Sequence, residues 1–447
     1  MSTAPTHADI SSTNALPKVV RARGSYLWDA GGKQYIDGSG GPAVYCLGHA
    51  NAEVNRAICA QLEQIAHGYR YNFTTDALEE LTEIIRARVG GTLREMVYVT
   101  GGSEAVESCL KIALQYQTAI GQKSRRVFIS RDRSWHGNTL GALGLSGFTE
   151  RTEAYEGAFI PSVKIPAANE YRPIPGATAE TAGAAAAAAL EDAILRAGPE
   201  TIAAFVFEPV VGAAGGCVPA PPGYAKAIRD ICTRHGVLMI ADEVMSGAGR
   251  CGTWRALQYD GVEPDIMAIA KGLAGGYQPL GAAICTTAVW QAIAAADGAF
   301  GTGHTFTGHT AACAAGVAVQ TIISREGLIE KVAANGPRLK HWLAEATADL
   351  DAIGDIRGRG HFIAIELVAN RATKEPFDKS LQLFMKIRAQ AMENGLICYP
   401  VGGNVDGHSG DIVIFAPPYN CTDDELTEIT DKGARSIRQV LQAEGLA

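Results

Sequence analysis

The chain has little of what marks a secreted, membrane-spanning, metal-binding or nucleic-acid-binding protein. Its ten cysteines are scattered through apolar stretches, as at Cys109, Cys232, Cys285 and Cys313, with no C-x-x-C pair and no Cys/His spacing of the zinc type. No metal is expected, and the cysteines read as buried thiols. Basic residues are in deficit: 39 Lys and Arg against 47 Asp and Glu give a net charge of -8, which offers no footprint for nucleic acid or an anionic membrane. Residues 1–14 are polar and lack the apolar core of a secretory leader, and no run of about 18 apolar residues follows. The expectation is a cytoplasmic protein with a loose N-terminal tail, and with neither nucleic acid nor membrane as partner.

What is present is a chain of 447 residues, long enough for two domains. A hairpin with turn signals at Asp29-Ala30-Gly31-Gly32 occupies 25–38, and helical spacing follows over 52–65 and 75–89, the second opened by Thr74 or Thr75. Short apolar runs at 95–99, 126–130, 201–207, 237–241, 266–270 and 281–286 then alternate with helical segments, which predicts an α/β fold with a large, mainly parallel sheet. The Ala-rich tract 177–195 reads as an outer helix. Past Gly327 the pattern becomes helix 328–350, strand 362–367, helix 379–394, strand 411–415 and helix 422–444. The expected division is a large domain over 71–327 and a smaller α+β domain built from both chain ends, 1–70 and 328–447.

Chemistry concentrates where the apolar runs end. Lys271 follows Ile266-Met267-Ala268-Ile269-Ala270, which offers it nothing polar. A lysine is ordinarily a solvated surface charge; desolvated, its pKa falls and the amine becomes a nucleophile toward an aldehyde. Asp242 ends the run Val237-Leu238-Met239-Ile240-Ala241, at the carboxyl edge where open α/β sheets bind ligands. It serves equally well as a loop cap, or as the carboxylate that keeps a pyridine nitrogen protonated, the partner pyridoxal phosphate requires. Gly101-Gly102-Ser103-Glu104-Ala105 joins a strand to a helix, either as a tight turn or as a phosphate cradle to which Ser103 adds a hydroxyl. Trp135, in Ser134-Trp135-His136-Gly137, stacks on a planar ring or belongs to the core, and Glu208 ends a further strand.

Taken together and in order, Gly101 to Ala105, Trp135-His136-Gly137, Glu208-Pro209-Val210, Asp242-Glu243-Val244 with Gly249-Arg250, Lys271-Gly272-Leu273 and Thr305-Phe306-Thr307-Gly308-His309 resemble the class III pyridoxal-phosphate aminotransferases. The resemblance covers residues 20 to 440. It implies a fold-type-I transferase with pyridoxal 5′-phosphate as cofactor, in which Lys271 forms the internal aldimine and shuttles the substrate proton. Asp242 would pair with the pyridine nitrogen, and Val244 and Trp135 would sandwich the ring. Gly102 and Ser103 would bind the phosphate, Thr305 would reach the phosphate of a neighbouring subunit, and Glu208 would lie near the phenolic oxygen, with His136 also in the cofactor-binding set. A homodimer or a dimer of dimers is implied.

The departures bear on substrate. Met245 stands where many members have Gln, and Gly308-His309-Thr310 is closer to the ω-amine:pyruvate subgroup. Tyr399 and Ile414 occupy positions where relatives carry carboxylate-binding arginines, and Ala43 replaces a bulky residue. The resemblance therefore implies an amine donor whose carboxylate is absent or remote, and pyruvate as the keto-acid acceptor. Arg70, with His408 behind it, is the candidate cation for the acceptor. A class III racemase or aminomutase, and a non-catalytic cofactor-binding regulator, are the alternatives.

Overall fold

A computed structural model describes residues 16–446, so the tail expected over 1–14 lies outside the described residues. Seven strands form the central sheet, in the spatial order Leu93–Val99, Gly281–Thr286, Ile266–Ile269, Leu238–Asp242, Ile202–Phe207, Val127–Arg131 and Ser162–Ile165. Only Gly281–Thr286 runs against its neighbours. The other adjoining pairs are parallel. Parallel strands need crossover connections, and the crossing helices cover both faces of the sheet, which is why the central strands are apolar at nearly every position rather than alternating.

Alternation decides which face each side chain serves. Phe205, Phe207, Met239, Ala241, Met267 and Ile269 pack into one core cluster with the helices Ala182–Ala197, Tyr224–His235 and Thr310–Arg325. Ala204, Val206, Leu238, Ile240, Ile266 and Ala268 pack into a second, with Val106, Cys109 and Leu110 of the helix Gly102–Ala119. Each fully buried large side chain contributes roughly 1.5–3 kcal/mol. Asp242 shares the parity of Leu238 and Ile240, so it emerges on the face covered by Gly102–Ala119, and its charge helps to raise the pKa of Cys109 in that helix.

The C-terminal part forms an antiparallel sheet, Ile353–Arg359, Phe362–Leu367, Asp411–Phe415 and Tyr399–Gly402, which packs with the helices Leu328–Ala346, Leu383–Glu393 and Asp423–Ala443. A capping box between Thr422 and Glu425 opens the closing helix, whose first turn carries three acids that suit the helix dipole. Both chain ends meet in a third sheet, where Leu396 and Ile397 pair in parallel with Ile36 and Asp37 of the N-terminal hairpin.

Several local expectations change. The helix expected over 379–394 is a 3-10 turn, Lys379–Leu381, and a helix, Leu383–Glu393, separated by Gln382 at a φ of 45°. Thr75 stands at the N-cap of Asp76–Val89 but makes no side-chain cap. Cysteine burial is not universal either: Cys59 is exposed and Cys398 half-buried, while the other eight are buried. Among the described residues no single helix is long and apolar enough to cross a membrane.

Candidate active site

The carboxyl ends of the strands Ile202–Phe207, Leu238–Asp242 and Ile266–Ile269 open into a cavity of about 370 Å³ lined by Lys271, Asp242, Glu208, Trp135, His136, Gly102, Ser103 and Val244. Residues from positions 102 to 271 are thus brought to one place by the sheet order. The strand Ile266–Ile269 delivers Lys271 into a 3-10 turn at a φ of 42°, a left-handed conformation uncommon for a side chain of this size. Its Nζ donates to the Pro42 carbonyl at 3.3 Å. Burial pushes the amine down to about 8, aided by the Arg250 charge and opposed by Asp242 and Glu208. A substantial neutral fraction therefore exists near neutral pH.

Asp242 is 3% exposed, accepts from the Val244 amide at 3.0 Å, and lies 2.8 Å from His136 Nδ1 through its second oxygen. So short a contact requires a proton between the two atoms, so with Asp242 ionised His136 is the donor. Among the described residues, the other ring nitrogen of His136 is buried and without a partner. Glu208 accepts from the Trp135 amide at 2.9 Å and the Gly212 amide at 2.8 Å, while burial raises its pKa.

The opposite wall is the start of Gly102–Ala119. Gly101, at the N-cap, supplies no side-chain cap, and Glu104 turns back to accept from the amide and hydroxyl of Thr100, each at 2.8 Å. The first-turn amides and the positive end of the helix dipole therefore favour an anion. A Cβ on Gly102 would stand 2.8 Å from Val244 Cγ1, so this close approach requires glycine. The Ser103 hydroxyl accepts from the Asn138 amide at 2.9 Å.

An amine of lowered pKa, a buried carboxylate and an uncapped helix N-terminus around one cavity fit the aldehyde, pyridine nitrogen and phosphate of pyridoxal phosphate. The fold and this donor set define a fold-type-I pyridoxal-phosphate transferase. The chain belongs to the class III aminotransferases: the family profile "Aminotransferase class-III" matches residues 8–437. An uncharacterized aminotransferase of Schizosaccharomyces pombe is 40% identical over 96% of this chain and 94% of its own length. The diaminobutyrate–2-oxoglutarate transaminase of Halomonas elongata is 34% identical, over 98% and 94%. Among solved structures, the ω-transaminase of Pseudomonas jessenii in complex with PMP superposes with a TM-score of 0.92 at 30% identity, covering 100% of both chains. The protein is accordingly a transaminase that uses pyridoxal 5′-phosphate, with an amino donor and a keto acid as its substrates.

The remaining predicted residues lie outside the cavity. Thr305 is exposed on the loop 301–309. Arg70 donates to Tyr71 Oη at 2.6 Å and to the Thr302 carbonyl at 3.4 Å, stacks on the Tyr71 ring, and borders a separate surface cleft with Thr307 and Gly308. Ala43, Ile414 and the partly buried Tyr399 join an apolar cluster with Phe148, Met245 and Trp135, and Ile414 is only 1% exposed. His408 faces Glu153 at 3.4 Å. Val44, Thr100, Gln278, Pro279 and Leu280 line the cavity and were not singled out from sequence. The Gly-rich, Pro-terminated run after Lys271 was the available signal for Gln278 to Leu280.

A pH dependence follows from the Lys271 environment. In cofactor-free protein, covalent capture of an aldehyde should rise as pH climbs through about 8, because the neutral amine is the reactive form. Stopped-flow absorbance with pyridoxal phosphate between pH 6 and 10, values chosen at about two units either side of that pKa, measures it. A midpoint at the ordinary lysine value would contradict the assignment.

Proposed function

We propose that the enzyme moves an amino group from an amine whose carboxylate is absent or remote to pyruvate, with Lys271 as the residue that attaches the cofactor. The observation that carries the donor reading is the apolar cluster in which Ala43, Phe148, Met245, Tyr399 and Ile414 pack with Trp135; by the resemblance, Tyr399 and Ile414 stand where relatives carry carboxylate-binding arginines. A carboxylate buried there without a partner would cost several kcal/mol.

Bound pyridoxal phosphate supplies an aldehyde for the amine and a ring that accepts electron density from the substrate carbon. Lys271 Nζ, whose pKa lowered to about 8 leaves a neutral fraction near neutral pH, is the nucleophile toward the aldehyde and the group that takes and returns the substrate proton. Asp242, oriented by His136 and the Val244 amide, supplies the negative charge that holds a pyridine nitrogen protonated. Trp135 and Val244, both lining the cavity, would flank the ring, and the Gly102 and Ser103 amides would hold the phosphate. Glu208, fixed by two amides, would lie near the phenolic oxygen of the bound cofactor.

We read the active form as a homodimer. Tyr69, Tyr71, Phe73 and Phe306 are 44, 72, 69 and 53% exposed, and they flank Arg70 and Thr305 in sequence. A second copy would cover these aromatics and place Thr305 and Arg70 against its own cavity, Thr305 on the phosphate and Arg70 on the acceptor carboxylate. Sedimentation at assay concentration tests this, and a fully active monomer would contradict it.

The donor reading is tested by comparing kcat/KM for hexylamine with that for ornithine, 4-aminobutyrate and β-alanine, with pyruvate as acceptor and alanine as the detected product. Hexylamine should equal or exceed the three amino acids. A preference of about tenfold for any of them, about 1.4 kcal/mol in the barrier, would overturn it.

A further inference from the structure

Glu208 is held in place from beyond the cavity as well as from its rim. One of its two amide donors, Gly212, opens a tight turn between the paired segments Val210–Val211 and Val218–Pro219, closed by the Gly216 amide on the Gly212 carbonyl at 2.8 Å. On the cavity side the turn has no slack: a Cβ on Gly212 would collide with Met245 Sδ and stand 3.2 Å from Glu208 Oε2. On its far side the turn is gripped by Arg357 of the C-terminal sheet, whose Nε donates to the Gly216 carbonyl at 2.7 Å and whose Nη2 donates to the Gly215 carbonyl at 2.6 Å. Gly216 has a φ of 80°, and a Cβ there would stand 3.1 Å from Arg357 Nη2, so glycine is what admits the guanidinium.

Arg357 is itself locked. It is buried, and its Nη1 pairs with Glu366 at 2.6 Å and with Asp355 at 3.0 Å. Glu366, buried as well, accepts from Arg172 Nε at 2.6 Å through its other oxygen. A buried cation needs such partners, and once they hold one end of the planar guanidinium, the direction of its remaining donors is set. Those donors meet two successive carbonyls, a task that needs the arginine fork and that a lysine ammonium cannot perform in the same way. A continuous series of hydrogen bonds therefore runs from Glu366 through Arg357 and the turn to the Glu208 carboxylate, which lines the same cavity as Lys271.

Resting on the place given above to Glu208, we propose that Arg357, held by Glu366, is a positioning residue for the reaction: it fixes the turn 212–217 so that the Gly212 amide keeps the Glu208 carboxylate ionised and aimed into the cavity. The small C-terminal sheet thereby sets a charge at the reacting end of the central one. Burial favours the neutral acid of Glu208, and the Gly212 amide is one of the groups that oppose it, so a loosened turn weakens that negative charge. The charges acting on the Lys271 amine are Asp242 and Glu208, which hold it protonated, and Arg250, which does the reverse. Arg357 is not among them, so its influence on Lys271 travels through Glu208.

The test reads the pH midpoint of pyridoxal-phosphate capture by cofactor-free protein, with thermal unfolding measured alongside. Glu208→Gln removes a negative charge that holds Lys271 protonated, so its midpoint should fall below about 8. Arg357→Lys keeps a cation beside Glu366 but lacks the fork for the two carbonyls, and its midpoint should fall by most of the same shift. Combined with Glu208→Gln it should fall no further than Glu208→Gln alone, because both changes act through one carboxylate. Glu366→Gln, which loosens Arg357 without removing it, should give a smaller shift of the same sign, and it carries the test if the lysine variant does not fold. A folded Arg357 or Glu366 variant with a lowered Tm and an unmoved midpoint, or a double variant whose shift is the sum of its two parts, would overturn the proposal and leave Arg357 a part of the scaffold only. An unmoved midpoint in Glu208→Gln would instead overturn the place given to Glu208, and the role of Arg357 with it.

Discussion

Lys271→Ala should lower the transamination rate on the order of 10⁴-fold, the upper range for loss of a positioned acid–base group. Two functions are lost together: the nucleophile for the aldehyde, and the group that carries the substrate proton. The cavity offers no obvious substitute. Glu208 is occupied by the Trp135 and Gly212 amides, and Asp242 by His136 and the Val244 amide. Cofactor should still bind, because the uncapped turn at Gly101 and the Asp242 charge remain in place. Steady-state kcat and cofactor content after gel filtration separate the two effects. A variant that turns over within about tenfold of wild type, a barrier change of only about 1.4 kcal/mol, would contradict the role given to Lys271.

Asp242→Asn is the second large effect, expected to cost about 10²–10³-fold in kcat, comparable to removing one preorganised electrostatic contact. Asparagine retains an oxygen for the Val244 amide while removing the charge, so the loss reports electrostatics rather than a collapsed loop. A second readout follows from the same change. Asp242 helps to hold the Lys271 amine in its charged form, so its neutralisation should move the midpoint of aldehyde capture below about 8. Normal kcat together with an unmoved midpoint would show Asp242 to be structural.

Much of this site is legible in the sequence because it is built where buried strands end. The runs at 237–241 and 266–270 are apolar at each position, and in a sheet covered on both faces the first polar residue after such a run emerges at the carboxyl edge. Asp242 and Lys271 are those residues. What is less legible has lost that contrast. Ser162–Ile165 is an edge strand carrying Lys164, and Ile353–Arg359 carries Asp355 and Arg357, so neither resembles a buried strand. Their charges are satisfied only in three dimensions: Arg357 reaches the carbonyls of Gly215 and Gly216 and the carboxylate of Glu366. The break at Gln382 is likewise invisible to helical spacing, which continues through it. The apolar wall beside Trp135 draws on positions 43, 148, 245, 399 and 414, whose proximity depends on how the C-terminal sheet meets the central one.

Lys271, proposed as the lysine that carries the cofactor, has a physical competitor in the chain. Burial also pushes Lys164 down, to about 7, so lowered pKa alone does not choose between the two amines. Geometry does: Lys164 Nζ is engaged by Ser130 Oγ at 2.7 Å and the Gly144 carbonyl at 2.8 Å, and it lies outside the cavity, whereas Lys271 faces Asp242 within it. Borohydride reduction of the cofactor-loaded protein, followed by proteolysis and mass spectrometry, identifies the attached residue directly. The expected result is one modified peptide, bearing the pyridoxyl group on Lys271. Modification of Lys164 or any other lysine in its place, or a protein that takes up cofactor and yields no modified peptide, would contradict the account.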